Sequence, residues 1–147
     1  MTTLFTGEYE YKVDEKGRVP IPPKWRREFG GSLYLTSGAD KCVTSYTVEE
    51  FDRARSEVGD NSLQSVLARK LLRAIVGASQ LVELDGQGRV VISSSLRAHA
   101  SIGDSAVVVG LGNHFEIWNP ELWRDEKTAD VAEMSQNIEK LKAERRQ

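Results

Sequence analysis

The sequence contains little of what secreted proteins and many enzymes depend on. Its 147 residues include one cysteine, Cys42, and two histidines. A single cysteine excludes an intrachain disulfide framework and is typical of a reducing compartment, which predicts a cytoplasmic protein. No apolar run approaches the length of a signal peptide or a membrane span, so we expect no membrane partner.

Groups that could carry catalysis or hold a metal are also sparse. Neither His99 nor His114 has a cysteine or carboxylate at metal-ligand spacing, so we expect no metal site. Gly110-Leu111-Gly112 begins like a dinucleotide fingerprint, but Phe115 replaces the third glycine and a predicted strand follows, which indicates a hairpin turn. Cys42 lies in a predicted strand and is interpreted as a small buried apolar residue. The sequence therefore predicts no catalytic residues, no cofactor and no small-molecule substrate.

The chain also lacks the overall positive charge that is typical of nucleic-acid-binding domains. Its formal net charge is −2 and its pI is about 5.8. The charge is unevenly distributed, however, because six basic and two acidic residues lie between Lys12 and Arg27. Acidic residues collect between Glu49 and Asp60 and in the C-terminal tail. One positive face on a slightly negative protein is therefore predicted.

What the sequence does contain is a duplication. A segment at Asp14, DEKGRVPIPPKWRREF, returns 71 residues later at Asp85 as DGQGRVVISSSLRAHA. Beyond one inserted residue the offset becomes 72 and still pairs Tyr46 with Trp118 and Phe51 with Trp123. Units this small bury little apolar surface alone, which favours a homo-oligomer. We predict a first repeat at 5–52, a linker helix region at 53–77, a second repeat at 78–124 and a charged C-terminal helix or tail at 125–147.

Each repeat is predicted to have the order β-β-α-β-β-α, which gives an α+β fold. In the first repeat the predicted strands are 8–13, 18–21, 33–36 and 42–46, with a short helix at 24–29 and an acidic helix opened by Thr47. Asp14 to Gly17 has the composition of a turn that joins the first two strands into a hairpin. A linker helix at 63–76 precedes the second repeat, which has strands at 80–84, 89–92, 106–110 and 114–118 and helices at 95–100 and from Pro120.

The C-terminal tail carries a narrow apolar seam. Between Thr128 and Gln147 its apolar residues recur at intervals of three, four and three, as Val131, Met134, Ile138 and Leu141. This spacing suits a partner helix better than a broad core. The sequence leaves open whether the tail is a docked helix or a frayed, solvated one.

The repeated Asp-x-x-Gly-Arg pattern has a structural and a functional interpretation. In the structural one, Asp14 and Asp85 cap their turns, the glycines supply left-handed residues and the arginines pair with the aspartates or with a sheet edge. In the functional one, Arg18 and Arg89 bind DNA, since guanidinium groups suit phosphates and guanine edges and a β-ribbon can enter a major groove. Basic neighbours favour the functional interpretation.

At these residues the chain resembles the MraZ family, which is built from two swapped-hairpin, AbrB-type DNA-binding units. The resemblance runs from Phe5 to about Trp123 and rests on the paired motifs and on NHFEIWNPELW. It implies duplicated AbrB-like β-barrel units in a nucleoid-associated transcriptional regulator. Such a protein forms a ring-shaped homo-oligomer. It binds short direct repeats in duplex promoter DNA upstream of the division and cell-wall genes, including its own promoter, and mainly represses them.

The resemblance also implies which residues contact DNA. They are the residues of the two turns and the basic residues around them: Asp14, Lys16, Gly17, Arg18, Lys24, Arg26, Arg27, Asp85, Gln87, Gly88, Arg89 and Arg97. The second copy departs from the first at Ser93, Ser94 and Ser95, which replace Pro22, Pro23 and Lys24, and at Gln87. We therefore expect the first repeat to contribute more of the electrostatic affinity.

One rival hypothesis belongs to a different functional class. The same fold serves antitoxin-like interaction modules, in which the C-terminal seam binds a protein partner and DNA contact is secondary. An enzyme is the third alternative, and no pair of groups is spaced to share a proton.

Overall fold

A computed structural model of the chain describes residues 4–59, 63 and 65–146. The first repeat consists of β1 (Glu8–Lys12), β2 (Arg18–Pro20), a 3-10 helix (Pro23–Phe29), β3 (Ser32–Ser37), β4 (Val43–Tyr46) and α1 (Val48–Val58). Helix α2 (Val66–Ile75) leads to the second repeat, which consists of β5 (Gln80–Glu83), β6 (Arg89–Val91), α3 (Ser94–Ala100), β7 (Ser105–Gly110), β8 (His114–Trp118) and α4 (Pro120–Ala132). Helix α5 (Met134–Arg145) follows. The predicted α+β class and the repeated order of elements are confirmed.

The two repeats share one antiparallel sheet instead of forming separate sheets. Its six strands lie in the order β1-β7-β8-β4-β3-β5, so the first strand of each repeat pairs with the other repeat. Strands β2 and β6 pair with each other in a separate two-stranded ribbon. The predicted local hairpin is therefore corrected: its turn forms, but β1 pairs with β7 and β2 pairs with β6. This exchange agrees with the swapped-hairpin resemblance.

Local sequence signals set most of the element boundaries. Thr47 caps α1 by accepting a hydrogen bond from the backbone N–H of Glu50 at 3.1 Å, and Asn119 caps α4, whose first residue is Pro120. The predicted linker helix at 63–76 is observed as Val66–Ile75, and residues 60–62 and 64 lie outside the described residues, as does Gln147. Most strand ends agree with the prediction to within one residue.

The main core lies between the large sheet and the β2-β6 ribbon. Val19 and Val90 point inward from the ribbon and are almost fully buried, as are Ile21 and Ile92 just beyond it. One end of this core is aromatic, because the Phe5, Trp25, Phe29 and Phe115 rings pack with centroids 5.2–5.9 Å apart. The core therefore holds the ribbon rigidly against the sheet.

A smaller apolar cluster lies on the opposite face of the sheet. It contains Val107, Val109, Trp118 and Cys42, with Trp123 of α4 packed against it. Cys42 directly precedes β4 and is fully buried, and burial raises the pKa of its thiol to about 12. The prediction that Cys42 is a buried residue is confirmed, and its thiol stays protonated at neutral pH.

Helices at the margins of the fold are much less covered than the strands. In α2, Val66, Leu67 and Leu71 are exposed, although the sequence places them on one apolar stripe. From Ala129 to Arg146 every residue is exposed, so the tail is a helix that extends away from the repeats. No helix within the described ranges is long and apolar enough to cross a membrane.

Ser45 is a polar residue buried in the middle of the sheet. Its Oγ atom has no hydrogen-bond partner among the described residues, and Leu35 and Phe115 flank it on the neighbouring strands. A buried hydroxyl without a partner costs stability, so Ser45→Ala is expected to raise the free energy of unfolding by about 1 kcal/mol. Urea unfolding at matched protein concentration measures this. A loss of stability would show that the hydroxyl makes a bond in solution.

Candidate nucleic-acid interface

The Asp14 turn is closed by its own side chain and backbone. One carboxylate oxygen of Asp14 accepts the backbone N–H groups of Lys16 at 3.0 Å and of Arg18 at 2.9 Å. The N–H of Gly17 donates to the Asp14 carbonyl at 2.9 Å, and Gly17 has φ +81°. Aspartate, glycine and their spacing are thus required by the turn itself.

The Asp85 turn repeats the same geometry. Its carboxylate accepts the N–H groups of Gln87 and Arg89, both at 2.9 Å, and Gly88 has φ +75°. In each turn these backbone hydrogen bonds are the largest cause that lowers the pKa of the aspartate. Both carboxylates are therefore ionised at neutral pH and hold their turns closed.

The β2-β6 ribbon places the two motif arginines on one outer face. Arg18 lies opposite Val91 and Arg89 lies opposite Pro20, on either side of the central pair Val19 and Val90. Directly opposite residues of an antiparallel pair share a face, and alternate residues along a strand also share one. Val19 and Val90 point into the core, so the arginines point out from the ribbon.

Each arginine is oriented by the aspartate of its own turn. Arg18 donates Nε–H to Asp14 Oδ2 at 2.5 Å, and Arg89 donates Nε–H to Asp85 Oδ2 at 2.9 Å. A second ion pair joins Arg89 Nη1 to Asp14 Oδ2 at 3.9 Å, so Asp14 links the two repeats. Because the bonds from Arg18 to described residues use Nε, its terminal Nη groups are available to an outside acceptor.

A shallow cleft lies beside these arginines. It has a volume of about 540 Å³ and is lined by Lys12, Val13, Asp14, Arg18, Pro20, Arg89, Asp104 and Ser105. Lys12 belongs to the basic segment but was not among the predicted site residues. Its position became visible only in the structure, because it depends on the pairing of β1 with β7 of the other repeat.

Arg26 and Arg97 lie differently from Arg18 and Arg89. Arg26 donates Nε–H to the carbonyl of Ile21 at 2.8 Å, and Arg97 makes the equivalent bond to Ile92 at 3.0 Å. Each guanidinium lies against the glycine of the opposite turn, with Arg26 beside Gly88 and Arg97 beside Gly17. These two arginines are partly buried and tie each repeat to the other.

The remaining predicted site residues are exposed but are not all together. Lys16 and Gln87 lie at equivalent positions in the two turns, and Lys24 lies in the 3-10 helix. Arg27 instead lines a separate cleft of about 670 Å³ with Leu4, Val48 and Glu49. The structure therefore brings Lys12, Asp14, Arg18 and Arg89 together and directs Arg27 elsewhere.

The serines that distinguish the second copy have a local structural role. Ser93 caps α3 by accepting the N–H of Leu96 at 3.3 Å. In the first repeat Pro22 and Pro23 start a 3-10 helix without a side-chain cap. Proline and serine are alternative ways to begin a helical turn, so this departure changes the type of helix while its position is kept.

Other chemistry has no comparable site in the part of the chain that the structure describes. It contains no group of three or more histidine, cysteine or acidic side chains placed to hold a metal ion. His99 Nε2 lies 3.2 Å from the carbonyl oxygen of Gly38 and 3.3 Å from that of Asp40, which ties α3 to the loop before β4. The paired turns are therefore the strongest candidate site.

Comparison with known proteins agrees with the duplicated architecture. A family described as "MraZ protein, putative antitoxin-like" matches residues 4–74 and again residues 75–145. The chain is 40% identical over 130 residues to the transcriptional regulator MraZ of Ligilactobacillus salivarius, which covers 88% of this chain and 90% of that protein. It is 35% identical over 138 residues to the protein of the same name from Roseiflexus sp. (strain RS-1), with 94% and 96% covered. The chain belongs to the MraZ family.

Proposed function

We propose that this protein is a sequence-specific DNA-binding transcriptional regulator that reads promoter DNA with its two Asp-x-x-Gly-Arg turns. The observation that carries the proposal is the placement of Arg18 and Arg89 on one outer face of the β2-β6 ribbon. The relatives' printed name, transcriptional regulator, supports it.

The geometry suits the chemistry of a duplex. A two-stranded ribbon fits the width of a major groove, and an arginine there makes paired hydrogen bonds to a guanine edge. The Asp14 and Asp85 carboxylates fix the direction of each guanidinium, which lowers the conformational entropy lost on binding. Lys12, Lys16 and Lys24 supply phosphate contacts that position the ribbon without reading sequence.

The family resemblance supports a more specific role and assembly for this regulator. The protein mainly represses the division and cell-wall gene cluster, including its own promoter, by binding short direct repeats as a ring-shaped homo-oligomer. It is a cytoplasmic protein that associates with the nucleoid. The repeats that present the turns are those at 5–52 and 78–124. Several turns in a ring would engage successive repeats, so weak contacts add by avidity.

The first repeat contributes more to nonspecific affinity than the second in this proposal. Lys16 of the first turn corresponds to Gln87 of the second, and Lys24 corresponds to Ser95. Each phosphate contact that is made by a lysine releases counterions and steepens the salt dependence. Lys24→Ala should therefore weaken binding to all duplexes alike. It should also make the DNA affinity fall less steeply as the salt concentration rises.

Fluorescence anisotropy of the full-length protein tests the proposal directly. The labelled duplexes are the DNA just upstream of its own gene and a scrambled duplex of equal composition, each at several salt concentrations. We expect tighter binding to the native duplex at every salt concentration and a steep loss of affinity as salt rises. Equal weak binding to both duplexes would reject sequence-specific regulation.

A protein-interaction module is the second candidate. It is favoured by the exposed tail and by the antitoxin-like description of the matching family. Removing residues 128–147 separates the two when DNA affinity is measured on a duplex with a single repeat, because the proposed DNA-binding residues precede the tail and avidity between repeats does not contribute there. Loss of a bound protein with unchanged DNA affinity would favour the interaction module, whereas unchanged partners in cell extracts would count against it.

A further inference from the structure

Helix α2 carries an apolar face that nothing in the described chain covers. Leu67 is 74% exposed, Val66 58% and Leu71 50%, and Leu63 just before the helix is 90% exposed. Single exposed apolar residues are common, but a stripe at helical spacing marks a surface that another element covers. We call these four residues the α2 face. Its charged neighbours on the helix are all basic: Arg69, Lys70 and Arg73.

The tail carries the second uncovered apolar face. Val131, Met134, Ile138 and Leu141 are each 47–56% exposed, and we call them the tail seam. Hydrogen bonds from Glu133 N to Ala129 O at 3.0 Å and from Asn137 N to Glu133 O at 2.9 Å carry the helical pattern across the junction of α4 and α5. The seam thus lies along one nearly continuous helix, and its spacing is that of a contact between two helices.

The two faces match in length and in charge. Helix α2 has ten residues and the tail seam spans eleven positions, so each is about 15 Å long at 1.5 Å per residue. Between Val66 and Ile75 there are three basic residues and no acidic one. Between Asp130 and Leu141, the stretch that contains the seam, there are three acidic residues and one basic residue. A basic apolar helix and an acidic apolar helix attract each other, whereas two helices of the same charge repel each other.

We propose that the α2 face of one copy binds the tail seam of the next copy. Both faces stay exposed within a single chain, so they do not cover each other in the monomer. A contact between two different surfaces of identical chains is head-to-tail, and such contacts form a ring when the rotation closes. The inference rests on the self-association in the proposed function and names the surfaces that produce it.

Cross-linking between two single-cysteine variants tests this contact. Leu67→Cys and Ile138→Cys are made in separate full-length chains, which are co-expressed and treated with a short bismaleimide. Both variants keep the native Cys42, which is buried. We expect a cross-linked dimer only when both variants are present. A dimer from Leu67→Cys alone would show that two α2 faces meet, and a dimer from Ile138→Cys alone would show that two seams meet. Each of these outcomes overturns the proposal. An oligomer of the co-expressed variants that forms no cross-link also overturns it.

Charge reversal gives a second, independent readout. Lys70→Glu with Arg73→Glu, or Asp130→Lys with Glu133→Lys, should each convert the oligomer to monomer in light scattering at low salt. All four changes together should restore the oligomer, because the charges again oppose across the contact. These residues are exposed, so circular dichroism should be unchanged in every variant. No rescue by the combined change would refute the pairing.

The failures of the two proposals are distinguishable. A wild-type protein that is monomeric in light scattering overturns both this contact and the proposed self-association. A wild-type oligomer that cross-links as expected but shows equal weak binding to native and scrambled DNA leaves the contact in place and rejects the regulator function.

Discussion

Replacing both Arg18 and Arg89 with alanine is expected to abolish sequence-specific DNA binding while the fold is retained. Both guanidinium groups lie on the outer face of the ribbon, so their loss leaves Val19 and Val90 packed in the core. An arginine that reads a base contributes about 1–3 kcal/mol per engaged site, which is roughly a 5- to 150-fold loss of affinity for each single substitution. In the double variant every subunit of the oligomer lacks both arginines, so the losses of affinity at the separate DNA contacts multiply.

The matched control is Arg53→Ala. Arg53 is an arginine on α1 whose side chain is 65% exposed, and it pairs with Glu50 at 2.5 Å as Arg18 pairs with Asp14. Arg53→Ala removes the same charge from a different element. The affinity of this variant for the native and scrambled duplexes should therefore change little. Arg18→Lys adds a further comparison, since lysine keeps the charge but loses the planar paired donors. We expect it to lower the preference for the native duplex more than the affinity for the scrambled one.

The contrary result has a defined meaning. If Arg18→Ala and Arg89→Ala lower the thermal midpoint and leave both affinities unchanged, the arginines act only as partners of Asp14 and Asp85. The paired turns would then be structural, and DNA contact would have to come from another basic surface.

Gly88→Ala is expected to cause a large loss of stability. Gly88 has φ +75°, and a left-handed alanine costs roughly 1–2 kcal/mol. A Cβ atom at this position would lie 2.2 Å from Arg26 Nε, so the guanidinium has to leave the Ile21 carbonyl that it bonds at 2.8 Å. This part-buried carbonyl accepts from a charged donor, and the loss of such a hydrogen bond costs about 1–3 kcal/mol more. Urea unfolding should therefore show a total loss of about 2–5 kcal/mol.

Gly86→Ala in the same turn is the control. A Cβ at Gly86 meets no described heavy atom within 4 Å, and its φ lies outside the left-handed region. Its free energy of unfolding should change by less than about 0.5 kcal/mol. Equal effects of Gly88→Ala and Gly86→Ala would show that Arg26 does not lock the two repeats together. Gly17→Ala should resemble Gly88→Ala, because its Cβ would lie 2.7 Å from the Ile92 carbonyl oxygen.

Sequence alone determined the features that depend on a few consecutive residues. Asp14, Gly17 and Arg18 form a turn because an aspartate oxygen reaches two nearby N–H groups and glycine tolerates a positive φ, and the same reasoning holds for Asp85. The constant offset between the copies showed the duplication, and Thr47 marked the start of α1 through its cap. The turn and cap signals act over fewer than six residues, and the duplication is a property of the sequence itself, so the rest of the fold changes neither.

Tertiary structure decided everything that depends on which strand pairs with which. The hairpin composition of β1 and β2 is the same whether the strands pair with each other or with the other repeat. In the structure Val19 of β2 pairs with Val90 of the other repeat, and both are buried. That exchange places Lys12 and Arg89 in the lining of one cleft and Arg26 against Gly88, although the residues of each pair are far apart along the chain. Whether an apolar stripe is covered is likewise a property of the assembled surface, so the sequence of α2 showed the stripe and only the structure showed it exposed.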